Sequence, residues 1–244
     1  DSVHRQRIGN PDELFREDAY LKSCEARVVF VDEVGVRLDR TVFYPEGGGQ
    51  PGDTGMFRLA GGRELKVADT RKHPARGEPS HVLEPGAGAP AVGETVTAVL
   101  DWERRHRHMR MHTCLHLLCS LVTGSVTGGA LGEAKGRLDF DLPNTAIDKE
   151  KLTTELNRLV TEDHPVRPRW ISDDELAANP GLVRTMSVKP PTGSGKVRLL
   201  EIDGVDLQPC GGTHVARTGE IGRVAVGKIE NKGRQNRRIN IAFV

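Results

Sequence analysis

The sequence predicts an α+β protein in which a small β-barrel is followed by a domain that combines an antiparallel sheet with packed helices. Short β-branched segments alternate with Gly- and Pro-rich breaks over the first hundred residues, a pattern typical of small barrels. After Asp101 the periodicity becomes helical, and strand-like alternation returns toward the C-terminus. We therefore expect two domains, at residues 13–103 and 104–244.

The predicted barrel strands are short apolar segments at residues 26–31, 34–38, 41–44, 64–67, 80–83 and 94–100. Between the third and fourth of them, residues 47–53 read GGGQPGD. This segment is too rich in glycine for a helix or a strand, so we expect a loop. Residues 84–90 are expected to form a second, surface-exposed loop.

Three helices are predicted in the second domain. Residues 106–122 lack Gly and Pro, and Cys114, Leu117, Leu118 and Leu121 fall on one side of the helix. A second helix is expected at 148–162, with Asp148 near its N-cap, and a short third helix at 173–178. Later strands are expected at 196–202, 222–229 and 238–244.

The composition excludes several classes of protein. The 35 Lys+Arg residues nearly balance the 34 Asp+Glu residues, so a strongly basic RNA-coating protein is excluded and any nucleic-acid contact must come from local patches. No apolar run is long enough to span a membrane. The chain shows no export signal, and its four cysteines lack paired spacing. We therefore expect a cytoplasmic protein with reduced thiols or thiol metal ligands.

Two segments contain residues suited to a metal ion. His112 and His116 are four residues apart on the predicted helix, which places both imidazoles about 40° apart on one face. Cys210 and His214 flank a Gly-Gly-Thr segment that can turn tightly. Nitrogen and sulfur ligands together suit Zn²⁺. Such a histidine pair also occurs often without a metal.

The two remaining cysteines of the predicted helix leave alternatives open. Cys119 lies three residues after His116, near the histidine face. It could be a ligand, although a small buried thiol is the commoner situation. Cys114 points away from the histidines and is expected in the core.

Three segments resemble the editing domain of alanyl-tRNA synthetases: HTCLHLL at 112–118, PCGGTH at 209–214 and KIENKGRQNRR at 228–238. Residues 18–21 and 39–53 are similar to the small translation-protein-like barrel that precedes this domain. In this combination the chain resembles the free-standing alanyl-tRNA editing proteins of AlaX type, in the longer form with a glycine-rich loop. Cys114 departs from the family, which more often has Ala there.

The resemblance implies an α+β editing domain that hydrolyses mischarged tRNA(Ala) at its acceptor end, with serine as the main misloaded amino acid and glycine as a second. It also implies one zinc ion per chain, with His112, His116, Cys210 and His214 as its ligands; whether three or all four of them bind at once stays open. Whether the ion activates water or positions the substrate stays open. No obligate protein partner and no membrane are implied.

The resemblance further points to residues that contact the substrate. Thr127 matches the region that lines family pockets and is a candidate partner for the serine hydroxyl, although an ordinary turn threonine is an equal alternative. From its place on the glycine-rich loop, Gln50 is a weaker candidate for contacting the substrate or gating the pocket; the alternative is a loop that only connects two strands. By their charge, two basic clusters are candidates for binding the tRNA, although such clusters are more often simply solvated surface: Arg104, Arg105, Arg107 and Arg110, and Lys228, Lys232, Arg234, Arg237 and Arg238.

Two other classes of function remain possible at this stage. One is a related metal-dependent hydrolase, such as a threonyl-type editing enzyme or an enzyme acting on a small ester. The other is a non-catalytic RNA-binding module in which four ligands close a structural zinc site. Metal removal distinguishes them, because loss of a structural zinc unfolds its domain.

Overall fold

The computed structural model describes residues 11–143, 146–183 and 195–244. The chain packs as two compact units. The first contains residues up to Gly47 together with Gly52–Arg105, and the second contains Gly48–Pro51 together with His106–Val244. Within the described ranges, no helix is both long enough and apolar enough to cross a membrane.

The first unit contains a closed barrel of six antiparallel strands, in the order β2-β3-β7-β6-β5-β8. The predicted small barrel is therefore confirmed. A short parallel pair, β1 with β4, lies outside the barrel sheet. The strands of this unit are β1 (Asp12–Glu13), β2 (Ser23–Val31), β3 (Val36–Leu38), β4 (Arg40–Thr41), β5 (Gly55–Leu59), β6 (Glu64–Lys72), β7 (Pro79–Leu83) and β8 (Thr95–Leu100).

Two stretches of the barrel differ from the prediction. The strand expected at 41–44 is reduced to β4, because the backbone of Tyr44 exchanges hydrogen bonds with Asp53 instead of a neighbouring strand. Strand β5 was not predicted, since Gly-Met-Phe-Arg-Leu contains no β-branched residue. Its Phe57 nevertheless packs edge-on against Phe43 in the barrel core, with the ring centroids 6.1 Å apart.

Arg105 lies at the end of the first unit, and its side chain is fully buried. Its guanidinium donates to the carboxylate of Asp53 at 2.6 Å and to the carbonyl oxygens of Val42 and Ala19 at 3.0 and 3.2 Å. A buried arginine needs such partners to offset its desolvation. Because the guanidinium has no access to solvent, the tRNA contact predicted for Arg105 would require its side chain to leave these partners.

The second unit contains two antiparallel sheets, ordered β14-β15-β10-β9 and β11-β12-β13. Together with three α-helices in the described ranges, these sheets confirm the α+β class. The elements are α1 (Trp102–Leu121, with the residues from His106 onward in this unit), β9 (Ser125–Leu131), β10 (Lys135–Asp141), α2 (Lys149–Thr161), β11 (Val166–Ser172), α3 (Asp173–Ala178), β12 (Lys196–Ile202), β13 (Asp206–Pro209), β14 (Val224–Asn231) and β15 (Asn236–Phe243).

Helix α1 is buried on both the apolar side and the histidine side. Cys114, Leu117 and Leu118 are inaccessible to solvent, as predicted, and His112 and His116 are only 7 and 8% exposed. When a helix is buried on its polar face as well, the polar side chains on that face need hydrogen-bond partners.

Helix α2 begins as predicted, with the side chain of Asp148 accepting a hydrogen bond from the Lys151 amide.

One histidine of the barrel is held in its neutral form. His81 is fully buried between the rings of Phe43 and Phe57. Its Nδ1 donates to the carbonyl oxygen of Val36 at 2.7 Å, and its Nε2 accepts from the hydroxyl of Thr41 at 2.7 Å. Burial lowers the pKa of His81 to about 4. Protonation of Nε2 would break the hydrogen bond that it accepts from Thr41. Low pH therefore destabilises the folded barrel.

We expect this histidine to make the barrel sensitive to acid. Its folded-state pKa of about 4 lies below the usual 6.5, so its contribution to the free energy of unfolding is complete above pH 6.5 and is lost as the pH falls toward 4. The full effect is about 3 kcal/mol. Denaturant unfolding can be followed by Trp102 fluorescence in a Trp170→Phe background. His81→Gln should make the free energy of unfolding depend less on pH. If plots of this free energy against pH are parallel for the two proteins, His81 does not cause the acid sensitivity.

Candidate metal centre

Four side chains of the second unit converge on one point. His112 and His116 come from α1, and Cys210 and His214 from the turn that follows β13. One ligand atom from each residue lies within 4.8 Å of all the others. The Sγ of Cys210 is 3.6 Å from Nε2 of His112 and 3.3 Å from Nε2 of His214. The structure thus brings together the four residues named from the sequence.

The two distances from Sγ of Cys210 suit a tetrahedral ion. Nitrogen and sulfur atoms bound to one zinc ion lie about 3.5 Å from each other, given bond lengths of about 2.0 to 2.3 Å. The two Cys210–histidine distances, 3.6 and 3.3 Å, are close to that value. Three imidazoles with one thiol also match the ligand chemistry of zinc. The group can therefore hold a metal ion.

The other two cysteines of α1 do not belong to this group of described residues. Cys114 is fully buried, and burial raises the pKa of its thiol to about 12. Cys119 is 2% exposed. Both fit the alternative of small buried core thiols.

The turn that carries Cys210 and His214 is tightly packed against α1. A Cβ atom on Gly212 would lie 2.2 Å from Cε1 of His112 and 2.9 Å from Oε1 of Gln50, so any side chain there would displace the ring of His112. Arg198 of β12 holds the turn from the other side, since its Nη1 donates to the carbonyl oxygens of Cys210 and Gly212 at 2.8 and 3.2 Å. Sequence reasoning missed Arg198, which stands in an ordinary strand pattern.

Hydrogen bonds orient two of the three imidazoles. Nδ1 of His112 donates to Oε1 of Gln50 at 2.8 Å. Nδ1 of His214 donates to Oγ1 of Thr113 at 3.0 Å, because the Thr113 hydroxyl proton is itself donated to the carbonyl oxygen of Met109. With the Nδ1 protons fixed outward, the Nε2 lone pairs point into the group, as a metal ligand requires.

Gln50 connects the helix to the turn. It is fully buried. Its Oε1 also accepts from the backbone amide of Thr213 at 3.2 Å, and its Nε2 donates to the hydroxyl of Thr213 at 2.7 Å. The residue was named from the sequence for substrate contact or gating. In the structure its amide is committed to His112 and Thr213.

The electrostatics of the group favour a thiolate. Burial raises the pKa of the Cys210 thiol, but the nearby imidazoles of His112, His214 and His116 outweigh it and bring the pKa well below its usual value. Burial lowers the pKa of His116, whereas the charges of Cys210 and Asp206 raise it to about 9. A thiolate is the form in which cysteine binds metals.

Thr127 lies in β9 at a β-bulge. The register between β9 and β10 shifts there, so that Gly128 pairs with Asp139, Val126 pairs with Phe140, and Thr127 has no partner across the ladder. Its Oγ1 donates to Oδ1 of Asn236 at 3.1 Å. Bulges redirect side chains and are frequent beside functional sites. Thr127 therefore lies at a strand irregularity and not in the ordinary turn that was its alternative.

The first basic cluster is largely committed to protein partners. Arg104 donates to the carbonyl oxygen of Gly52 at 2.8 Å, and Arg107 pairs with Glu133 at 3.1 Å. Arg110 donates to the carbonyl oxygen of Ile221 at 2.7 Å. Arg107 is the most accessible of the three, with 46% of its side chain exposed.

The second basic cluster contains three exposed cations around the β14–β15 hairpin. Lys228, Lys232 and Arg234 are exposed. Arg238 pairs with Asp139 at 2.9 Å and is partly buried. Arg237 is 7% exposed and donates to Oδ1 of Asn231 and to backbone carbonyl oxygens. The tRNA contact predicted for Arg237 would require Nη1 to leave these partners.

Comparison with known proteins identifies relatives over most of the chain. Residues 197–240 match the family described as the threonyl and alanyl tRNA synthetase second additional domain, and residues 17–104 match the class II (A) tRNA synthetases. An alanine–tRNA ligase of Pyrobaculum neutrophilum is 37% identical over 240 residues, which are 89% of this chain and 25% of that protein.

Shorter relatives match almost from end to end. The alanyl-tRNA editing protein AlaX-M of Methanosarcina acetivorans is 39% identical over 239 residues, covering 93% of this chain and 96% of that protein. AlaX-M of Saccharolobus solfataricus is 34% identical, covering 93% and 97%. At this identity and coverage, the chain belongs to the alanyl-tRNA editing proteins of the AlaX-M type.

Proposed function

We propose that this protein is a zinc-dependent deacylase that hydrolyses mischarged tRNA(Ala), with the seryl ester as the main substrate and the glycyl ester as a second. The observation that carries the proposal is the convergence of four ligand atoms within 4.8 Å in a family of editing proteins. Hydrolysis adds water across the ester bond and releases the amino acid and the tRNA 3′-terminal hydroxyl.

The chain's own residues supply positioning in this reaction. An aminoacyl ester is already activated, so rate depends mainly on holding the ester and a water molecule and on stabilising the developing oxyanion. A zinc ion held by His112, His116, Cys210 and His214 would supply Lewis-acid chemistry. Gln50 acts as a positioning residue, because it fixes the ring of His112 and the turn at Thr213.

Thr127 supports discrimination between serine and alanine. Its hydroxyl proton is donated to Asn236, so the oxygen retains lone pairs that can accept one hydrogen bond from a ligand. A seryl ester can donate that bond, whereas an alanyl ester would leave the acceptor unpaired. Sites that hydrogen-bond a substrate hydroxyl reject the analogue without it in this way.

The tRNA is proposed to contact the exposed cations of the second unit, chiefly Lys228, Lys232 and Arg234, with Arg107 as a further candidate. These side chains reach solvent. The surface pairs of Lys228 and Lys232 with Glu230 and of Arg107 with Glu133 are weak contacts that a phosphate can replace. With a formal net charge of +1, the protein has little general attraction to RNA.

Deacylation of Ser-tRNA(Ala) measured against Ala-tRNA(Ala) tests the activity. We expect selective serine release that is abolished by a chelator, restored by Zn²⁺ and reduced at least roughly 100-fold in His116→Ala. His106→Ala, on the more exposed part of the same helix, serves as the matched control. The metal-free protein should keep its circular dichroism spectrum, which distinguishes a catalytic ion from a structural one. No release from either tRNA by folded, metal-loaded protein would refute the proposal.

Thr127→Val tests the specificity. Loss of one accepted hydrogen bond should lower kcat/KM for the seryl ester roughly 10- to 100-fold and leave the glycyl ester nearly unchanged. Thr127→Ser keeps the hydroxyl and should retain the seryl preference. If the ratio of the seryl to the glycyl rate is the same in Thr127→Val as in the unchanged protein, the threonine has no such role.

The salt dependence of tRNA binding tests the basic hairpin. Neutralising Lys228 and Lys232 to Gln should reduce the slope of log affinity against log salt concentration by about 1 to 2. Lys149 and Lys151 are also exposed lysines, on α2, and their change to Gln is the matched control. Equal slopes in the two double variants would show that the hairpin does not contact the tRNA.

A further inference from the structure

We propose that Asp206 is a positioning residue of the metal centre, whose carboxylate accepts a hydrogen bond from Nδ1 of His116 and thereby tightens the binding of zinc. The inference rests on the metal centre of the proposed function. It concerns a residue outside the four ligands and outside the sequence motifs that pointed to them.

Two of the three imidazoles have a hydrogen-bond partner at Nδ1, and the third does not. Nδ1 of His112 is bonded to Gln50, and Nδ1 of His214 is bonded to Thr113. Nδ1 of His116 is buried and has no hydrogen-bond partner at normal distance. A buried ring N–H without an acceptor is costly, and the third imidazole therefore needs one.

The carboxylate of Asp206 lies in position to accept a hydrogen bond from Nδ1 of His116. Its Oδ2 lies 3.7 Å from Nδ1 of His116, and both side chains are 9% exposed. Among the described residues, Asp206 forms no ion pair with Lys or Arg. The charge of this largely buried carboxylate is therefore directed to the histidine.

The local sequence places the carboxylate. Asp206 begins β13, four residues before Cys210, and β13 pairs with β12. Gln208 lies two residues later on the same face of the strand, and its Nε2 donates to Oδ2 of Asp206 at 2.6 Å. The carboxylate is thus held by a neighbour on its own strand. A side-chain movement of less than about 1 Å would bring Oδ2 from 3.7 Å to hydrogen-bond distance of Nδ1.

Two physical effects link this contact to metal binding. A carboxylate on the outer nitrogen fixes the tautomer that presents Nε2 inward and makes the imidazole a stronger donor to the ion. The carboxylate also adds a second negative charge to that of the Cys210 thiolate. Together they balance a divalent cation in a region where charges are poorly screened.

Zinc affinity of the full chain, measured by competition with a chelator, tests the inference. Asp206→Asn keeps the shape and removes the charge, and we expect roughly 10- to 100-fold weaker binding. Asp203→Asn is the matched control, since Asp203 lies in the same hairpin with 59% of its side chain exposed. It should leave the affinity unchanged. The thermal midpoint of the metal-free protein should be the same in both variants, which a merely structural role of Asp206 would not predict.

A double-mutant cycle shows whether Asp206 acts through His116. In a His116→Ala background, Asp206→Asn should cost little further affinity. An equal loss in both backgrounds would overturn the inference, as would an affinity of Asp206→Asn within about twofold of the unchanged protein. Should Asp206→Asn fail to fold, Asp206→Glu, which keeps the charge, must bind zinc with intermediate affinity. If the unchanged protein binds no zinc, the metal centre itself is refuted, whereas normal zinc binding by Asp206→Asn refutes only the role of Asp206.

Discussion

Inside the second unit, the imidazole rings of His112 and His214 turn Nε2 toward Cys210, and a hydrogen bond at Nδ1 holds each ring in that orientation. The amide of Gln50 accepts this hydrogen bond from His112 and at the same time holds Thr213 in the turn that carries Cys210 and His214. One side chain therefore sets the register between a helix and a turn. The crowding at Gly212 makes that register strict.

The general fold could be predicted from the sequence because its elements carry strong local signals. The third helix and the strand at 196–202 have the predicted bounds. The elements that were not predicted have weak or mixed signals. Strands β9 and β10 are rich in Gly and charged residues, and β11 contains a proline and exposed polar positions. Their pairing with neighbouring strands, rather than local propensity, makes them strands.

The candidate site likewise contains residues that local sequence patterns predict and residues that they do not. The spacing of His112 and His116 and the glycine-flanked pair of Cys210 and His214 are local patterns, and they point to a common ion from the sequence alone. The residues behind the ligands give no such signal, since a hydrogen-bond partner is chosen by tertiary packing. For the same reason Arg105 could not be distinguished from a surface arginine. Its position in a run of basic residues indicates exposure, whereas Asp53 and two carbonyl oxygens enclose it.

The four residues Gly48–Pro51 belong by packing to the second unit, although Gly47 and Gly52 on either side belong to the first. The unit that contains the proposed metal centre is thus discontinuous in the amino-acid sequence. A piece cut out in chain order from residue 104 onward would keep every proposed metal ligand but would lack the amide that orients His112. Exchange of such modules between proteins by recombination would therefore conserve a working centre only if the glycine-rich segment travelled with it, or if a new residue took over the hydrogen bond of Gln50.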